Sequence, residues 1–182
     1  EEAIIEDKNT TLFKAEAKFI SDRTLMAGKE TIKGDKIVIA AGTRPLIPPI
    51  EGLSKVNFIT SDAALRLKKQ PKTMTILGGG YIAAELAHFF GALGTKMDII
   101  QRGKFLVPNE DEEISRKFTE IFGKKYNVLT EHTAAKVSKE KGKFVVWAES
   151  KSKKKKIVSD ALLVAAGRIP NTDILDVAET NV

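Results

Sequence analysis

The chain has 182 residues, 42% hydrophobic and 30% charged, with a formal net charge of +6. This is the profile of a folded globular protein, with length for one large domain or two small ones. The absence of cysteine and the presence of only His88 and His132 exclude disulfides, thiolate-bound zinc and thiol nucleophiles, and leave no metal centre to expect. No apolar run approaches the roughly 18 residues of a membrane helix, and Glu1-Glu2-Ala3 lacks the basic flank and apolar core of a signal peptide. The sequence therefore reads as cytoplasmic, without a membrane partner, and any redox chemistry has to come from a borrowed group.

In chain order, Leu12 to Ile32 alternates in the manner of short hairpins. Asp35-Lys-Ile-Val-Ile-Ala-Ala-Gly42-Thr-Arg-Pro45 follows, and it is echoed by Asp160-Ala-Leu-Leu-Val-Ala-Ala-Gly167-Arg-Ile-Pro170. Both copies read as a short buried strand ending in a glycine, which predicts two related domains in tandem. Pro45, Pro48 and Pro49 stiffen the connection, and Thr60-Ser61-Asp62 offers caps for a short helix through Leu67. Thr73–Leu77 is a strand, Gly78-Gly79-Gly80 a turn, and Ile82, Leu86, Phe89, Phe90 and Leu93 mark one apolar helix face that Gly94 ends. Lys96–Ile100 is the second strand. The next helix has Glu110 to Glu113 at its positive end and Ile114, Phe118, Ile121 and Phe122 inward, and Asn127–Thr130 is the third strand.

A second hairpin stretch, Ala135 to Val158, leads to the strand Ala161–Ala165. The fold class expected is α/β: a Rossmann-like doubly wound parallel sheet with an antiparallel β-meander, plus part of a second, related domain. Much of the positive charge lies in Lys151–Lys156. With no interleaved aromatics this reads as a solvated turn; a polyanion-binding patch is the other reading, and no nucleic-acid partner is expected.

Gly78-Gly-Gly80-Tyr-Ile-Ala83 matches G-x-G-x-x-[G/A] between a strand and a helix, the setting in which that motif binds dinucleotides. Gly78 permits the turn, Gly80 lets a pyrophosphate approach the backbone, Ala83 allows close helix packing, and the helix start attracts phosphate. About 20 residues on, where NAD-binding proteins place an acid on the adenosine ribose, stands Gln101, followed by Arg102 and Lys104. Two cations without an acid favour a 2'-phosphate, hence NADP(H) over NAD(H). As ordinary surface cations they would leave Gln101 to serve NAD.

With Ala40-Ala-Gly-Thr-Arg-Pro45, Thr60-Ser-Asp-Ala-Ala-Leu65 and Val164-Ala-Ala-Gly-Arg-Ile-Pro-Asn171, the loop Gly78 to Glu85 resembles the flavin-dependent pyridine nucleotide-disulfide oxidoreductases over nearly the whole chain. The resemblance implies residues 1–47 as part of an FAD-binding domain, 48–69 as a linker with a short helix, 70–170 as the NAD(P)-binding domain and 171–182 as a return segment toward the FAD domain. Gln101-Arg102 and Ala83 are closer to the NADPH-using members. The family's flavin glycine loop, redox cysteine pair and interface domain with its catalytic histidine have no counterpart in these residues. The expectation is thus a central portion of a longer homodimeric parent, partnered by the remaining FAD and interface domains, with no catalytic residue of its own.

Carried over by motif, Gly78, Gly80, Tyr81, Ile82 and Ala83 line the pyrophosphate and nicotinamide side. Gly167 and Arg168 lie near the nicotinamide half, and Gly42 and Thr43 against FAD. Tyr81 matches an aromatic that covers the flavin in some members; packing at the helix start is an equal reading. Glu85 matches an acid near the nicotinamide amide and flavin, beside the reading of a first-turn glutamate favoured by the helix dipole. His88 and His132 are given no role. The parent is expected to pass hydride from NADPH through FAD to a disulfide or other acceptor, this portion alone binding dinucleotide without turnover; a non-catalytic dinucleotide-binding or regulatory module is the alternative.

Overall fold

The computed structural model describes residues 7–181. Residues 1–6 and Val182, assigned above to the partial FAD-type domain and the return segment, lie outside the described residues. The chain divides into two compact units, one made of the residues up to Arg44 and those from Ile169 on, the other of Pro45–Arg168.

The first unit contains a three-stranded antiparallel sheet, β1 (Ala17–Ser21), β2 (Thr24–Ala27) and β3 (Glu30–Lys33). Its buried side chains are Phe19 and Ala27. Two short strands at the passage between the units, β4 (Thr43–Pro45) and β12 (Arg168–Pro170), pair with each other, so the tails of the two echoed segments meet. Within the first unit, Arg44 makes a two-pronged ion pair with Asp173, Nη1 to Oδ1 at 2.9 Å and Nη2 to Oδ2 at 2.6 Å.

The second unit is built on a parallel sheet of order β11-β5-β6-β7, with β5 Thr73–Leu77, β6 Lys96–Ile100, β7 Asn127–Leu129 and β11 Ala161–Val164. Strand alternation sorts its side chains to two faces. Met74, Ile76, Met97, Ile99 and Leu163 pack with the helices α2 (Tyr81–Ala92) and α3 (Glu112–Gly123). Leu77, Ile100, Leu162 and Val164 pack with the meander β8 (Thr133–Glu140), β9 (Lys143–Glu149) and β10 (Lys154–Ser159) through Val137, Phe144, Val146 and Ile157. Where a hydroxyl falls inside, it is satisfied: Thr75 Oγ1 donates to Ser159 Oγ at 2.8 Å, and Ser159 Oγ to the Ala161 carbonyl at 2.8 Å. The α/β fold expected from the sequence, parallel sheet and meander included, is the one observed.

The stretch 48–69 is built into this second unit. Leu53, Val56 and Ala64 are buried, Glu51 bridges to Lys136, and Ile59 bridges to Leu163. Its helix α1 is one turn, Ser61–Ala64, shorter than the expected run to Leu67.

Three expectations are corrected. Both helices present a face rotated from the one read off the apolar residues. In α2, Ala83, Leu86, Ala87 and Phe90 are buried, while Phe89 is 45% and Leu93 57% exposed. The alanines bring the helix close to the sheet, which displaces bulky Phe89 to the flank, edge-on to Phe90 at 5.0 Å. In α3 the inward residues are Ser115, Phe118, Thr119 and Phe122, whereas Ile114 and Ile121 are 58% and 46% exposed; the two hydroxyls are needed inside, as described below. Finally, the segment Asp35–Ala41 forms no strand, and Val38 is 89% exposed. A buried parallel strand requires neighbours along its edges, and among the described residues none pairs with this segment.

Candidate functional site

The carboxyl ends of β5, β6, β7 and β11 open into one cleft of about 480 Å³ that lies wholly within the second unit. Its floor is the turn Gly78–Gly80. Gly78 continues the ladder, its N–H donating to the Ile100 carbonyl at 2.9 Å, at φ +113°, and a Cβ there would stand 2.2 Å from the Ala165 carbonyl oxygen. The strand must therefore end in glycine to pass β11. At Gly80 a Cβ would meet nothing within 4 Å, so the backbone faces open space in the cleft, as close approach of a pyrophosphate requires. Gly80 also precedes α2 as its cap residue; no side chain caps this helix start, and no acid occupies its first turn. The first amides and the positive end of the dipole are left for an anion.

One wall is the loop between β6 and α3, which is held at several points. The Val107 N–H donates to the Gly79 carbonyl at 2.6 Å, Leu106 N–H to Thr119 Oγ1 at 2.8 Å, and Ser115 Oγ to the Val107 carbonyl at 2.7 Å. Val107 takes φ +44°, a strained conformation for a β-branched residue that these bonds enforce. Gln101 is 7% exposed and its Nε2 donates to the Phe105 carbonyl at 3.0 Å. It lines the cleft, yet its amide is committed to holding the loop. Arg102 is exposed and lines the cleft, and among the described residues no acid pairs with it. Lys104 does not line the cleft; its Nζ lies 4.9 Å above the Phe105 ring.

At the other end stand Tyr81, 61% exposed, with Ile82, Gly167 and Arg168. The Gly167 carbonyl accepts from Leu46 N–H at 2.9 Å, and Arg168 reaches toward Asp62 at 3.9 Å. Ala83 is buried against the sheet rather than in the lining. Glu85 is exposed, outside the lining, and a full turn into α2, so the helix-dipole account of it fails. Gly42 and Thr43 are exposed in the first unit.

Several lining residues are missing from the expected set. Gly79 is one: a Cβ would lie 2.7 Å from Leu106 Cδ2 and 2.9 Å from Gln101 Cβ. Pro108, Asn109 and His132 are others. The neighbour relation of His132 to Gln101 follows from the parallel pairing of β6 and β7, which was readable in the sequence.

The basic run is not a bare patch: Lys154 pairs with Glu149 at 2.9 Å, Lys156 with Glu140 at 3.2 Å, and Lys136, across the sheet, with Glu51 at 2.7 Å. Among the described residues no helix is long and apolar enough to cross a membrane, and no His, Asp and Glu cluster of metal-site size occurs.

Set beside known proteins, residues 2–182 match the family model described as pyridine nucleotide-disulphide oxidoreductase. The chain belongs to that family. Among curated members of this oxidoreductase family, it is 35% identical over 180 residues to a mercuric reductase of Staphylococcus aureus, covering 98% of this chain and 33% of the relative. It is 38% identical over 156 residues to a mycothione reductase of Mycobacterium tuberculosis, 86% of this chain and 33% of that one. A dihydrolipoyl dehydrogenase of Bacillus subtilis is 33% identical over 175 residues, covering 93% and 38%. The chain thus spans about a third of the length of the curated relatives it matches. Its fold matches that of the HOCl-induced flavoprotein disulfide reductase RclA from Escherichia coli with a TM-score of 0.83 at 28% identity, over 98% of this chain and 41% of that structure. The oxidoreductases of this family are flavin-dependent and use a pyridine nucleotide, and the glycine loop and cleft fit such a ligand at Gly80 and the uncapped helix start.

Proposed function

We propose that this chain carries the NADP(H)-binding part of a flavin-dependent oxidoreductase that delivers electrons to a disulfide or another acceptor. The observation that carries this reading is the glycine turn leading into an uncapped helix, with Arg102 beside it on the same cleft and no acid paired to it. The amides at the start of α2 neutralise the pyrophosphate, for which Gly80 leaves room. Arg102 takes the 2'-phosphate in a charge-assisted contact. Tyr81, Ile82, Gly167 and Arg168 wall the nicotinamide half and orient the ring. A nicotinamide held there would supply hydride chemistry for a flavin-dependent reaction.

Gly42 and Thr43, exposed in the first unit, would lie against FAD where the rest of its domain is present. In this proposal the domain scheme is that of the family resemblance: residues up to about 47 belong with the FAD domain and 70–170 form the dinucleotide domain. FAD, the acceptor-reducing groups and the homodimer interface then belong to parts of the longer relatives that this chain does not span.

Calorimetric titration with NADPH and NADH at two salt concentrations tests the reading. NADPH is expected to bind more tightly than NADH, to weaken with salt, and to lose about ten-fold or more in affinity in Arg102→Glu, the scale of a hydrogen bond to a charged group. Equal or tighter NADH binding overturns the 2'-phosphate assignment. Folded protein that binds neither nucleotide overturns the reading as a whole.

A further inference from the structure

His132 is the polar group in the cleft that the reading above leaves unused. It follows β7, and its backbone N–H donates to the Gln101 carbonyl at 3.1 Å, which fixes it next to the end of β6. There it lines the cleft together with Arg102 and Thr133. Its Nδ1 lies 2.6 Å from the Thr130 carbonyl oxygen. A carbonyl only accepts, so Nδ1 carries the proton, and in the neutral ring Nε2 is then a bare acceptor. This nitrogen is buried and, among the described residues, has no hydrogen-bond partner. A buried acceptor with no donor is unfavourable, and one kept in a native site calls for a reason.

We infer that Nε2 of His132 accepts a hydrogen bond from the adenosine half of the bound dinucleotide, which makes His132 a specificity-determining residue for that half; this rests on the dinucleotide reading above. The half is fixed by topology, because in such folds the adenosine ribose lies at the end of the second strand, here Gln101, the residue to which His132 is bonded. The chemistry agrees. Ribose hydroxyls and the adenine amino group are donors, whereas the pyrophosphate offers an acceptor no proton. Nε2 is covered in the structure, so a side chain of the wall has to move aside to admit the donor. His132 thereby recognises AMP-like ligands and is indifferent to the nicotinamide mononucleotide half.

The test titrates unmodified protein, His132→Phe and His132→Asn with AMP, NADPH and nicotinamide mononucleotide. In His132→Phe, AMP and NADPH are expected to bind about five- to ten-fold more weakly, the size of one lost hydrogen bond, with nicotinamide mononucleotide unchanged. His132→Asn, which retains an acceptor, is expected to recover part of the loss. In unmodified protein labelled with 15N at histidine, the Nε2 resonance is expected to move when AMP is added and to stay when nicotinamide mononucleotide is added. That measurement needs no variant to fold. AMP binding unchanged in folded His132→Phe, an equal loss for both halves, or an Nε2 signal that AMP does not move overturns the inference while leaving NADPH binding intact. Failure of unmodified protein to bind AMP and NADPH at all overturns the dinucleotide reading and this inference with it.

Discussion

Gly79 occupies the middle of the glycine turn, a position at which the motif itself permits any residue. In this chain Leu106 and Gln101 return over it from the loop after β6 and close to less than 3 Å of where a Cβ would stand. Leu106 is 1% exposed and Gln101 is tied to the Phe105 carbonyl, so neither has room to retreat. Gly79→Ala is therefore expected to cost about 1–3 kcal/mol of stability, as overpacking of a tight interior does, and to weaken dinucleotide binding by shifting the loop that presents Arg102. Gly123→Ala, at the end of α3 where a Cβ meets nothing within 4 Å, is the control and is expected to be neutral in both respects. Chemical denaturation and titration of the two variants check this; a Gly79→Ala protein as stable and as tight-binding as the unmodified chain would contradict the contact. The motif made Gly78 and Gly80 legible. It gave no sign of Gly79, because its need arises from a residue 27 positions later that only the fold brings back.

Among the elements, strand patterns were easier to read than helix faces. Every strand of the parallel sheet was placed, since short apolar runs between turn residues leave few other options. The inner face of α3 was misread because two of its inward positions are hydroxyls: Ser115 and Thr119 bind the loop carbonyl of Val107 and the amide of Leu106, a demand that a hydrophobic pattern does not register. A second polar anchor joins the start of β5 to the corner between β10 and β11. The Asp160 carboxylate accepts from Lys143 Nζ and from both the N–H and hydroxyl of Thr73, at 3.0 and 2.9 Å. The hydrogen bond from Lys143 foremost, and then those from Thr73, hold this carboxyl below its ordinary value of 3.8. Because the folded-state value is the lower one, the stabilisation is complete above about pH 4, the unfolded carboxylate range, and is lost as pH falls through the depressed value. Asp160→Ala is expected to lower stability at pH 7 by about 1–3 kcal/mol. It is also expected to flatten the fall in stability below pH 4. Denaturation midpoints measured from pH 7 to pH 3 decide this, and an unchanged acid slope would remove Asp160 from the account.

On the scale of the whole molecule, the echo of Asp35–Pro45 in Asp160–Pro170 predicted equivalent strands, and only the second copy forms one. The two are alike in sequence, and both end in a glycine at positive φ, Gly42 at 69° and Gly167 at 128°. Their difference lies in surroundings: Ala161–Val164 adds to β5 in full register, while the first copy has no strand partner among the described residues. A strand is thus a property of the sheet that receives it, which no local pattern encodes. This contrast makes the first copy an early site of cleavage. Lys36 is exposed in the unpaired segment, and backbone without ladder bonds is cut readily. Limited trypsin digestion is expected to cleave at Lys36 ahead of the strand lysines Lys96 and Lys143 of the second unit. NADPH at about 100 times its dissociation constant adds about 2.7 kcal/mol to a unit that binds it only when folded, so cleavage within Pro45–Arg168 should slow by about 100-fold where it proceeds through unfolding, while cleavage at Lys36 keeps its rate. Mass spectrometry of the time course reads both rates together. Equal protection at Lys36 would mean that the first copy is ordered by the nucleotide, and slower cutting at neither place would mean that the cleft of the second unit holds no dinucleotide.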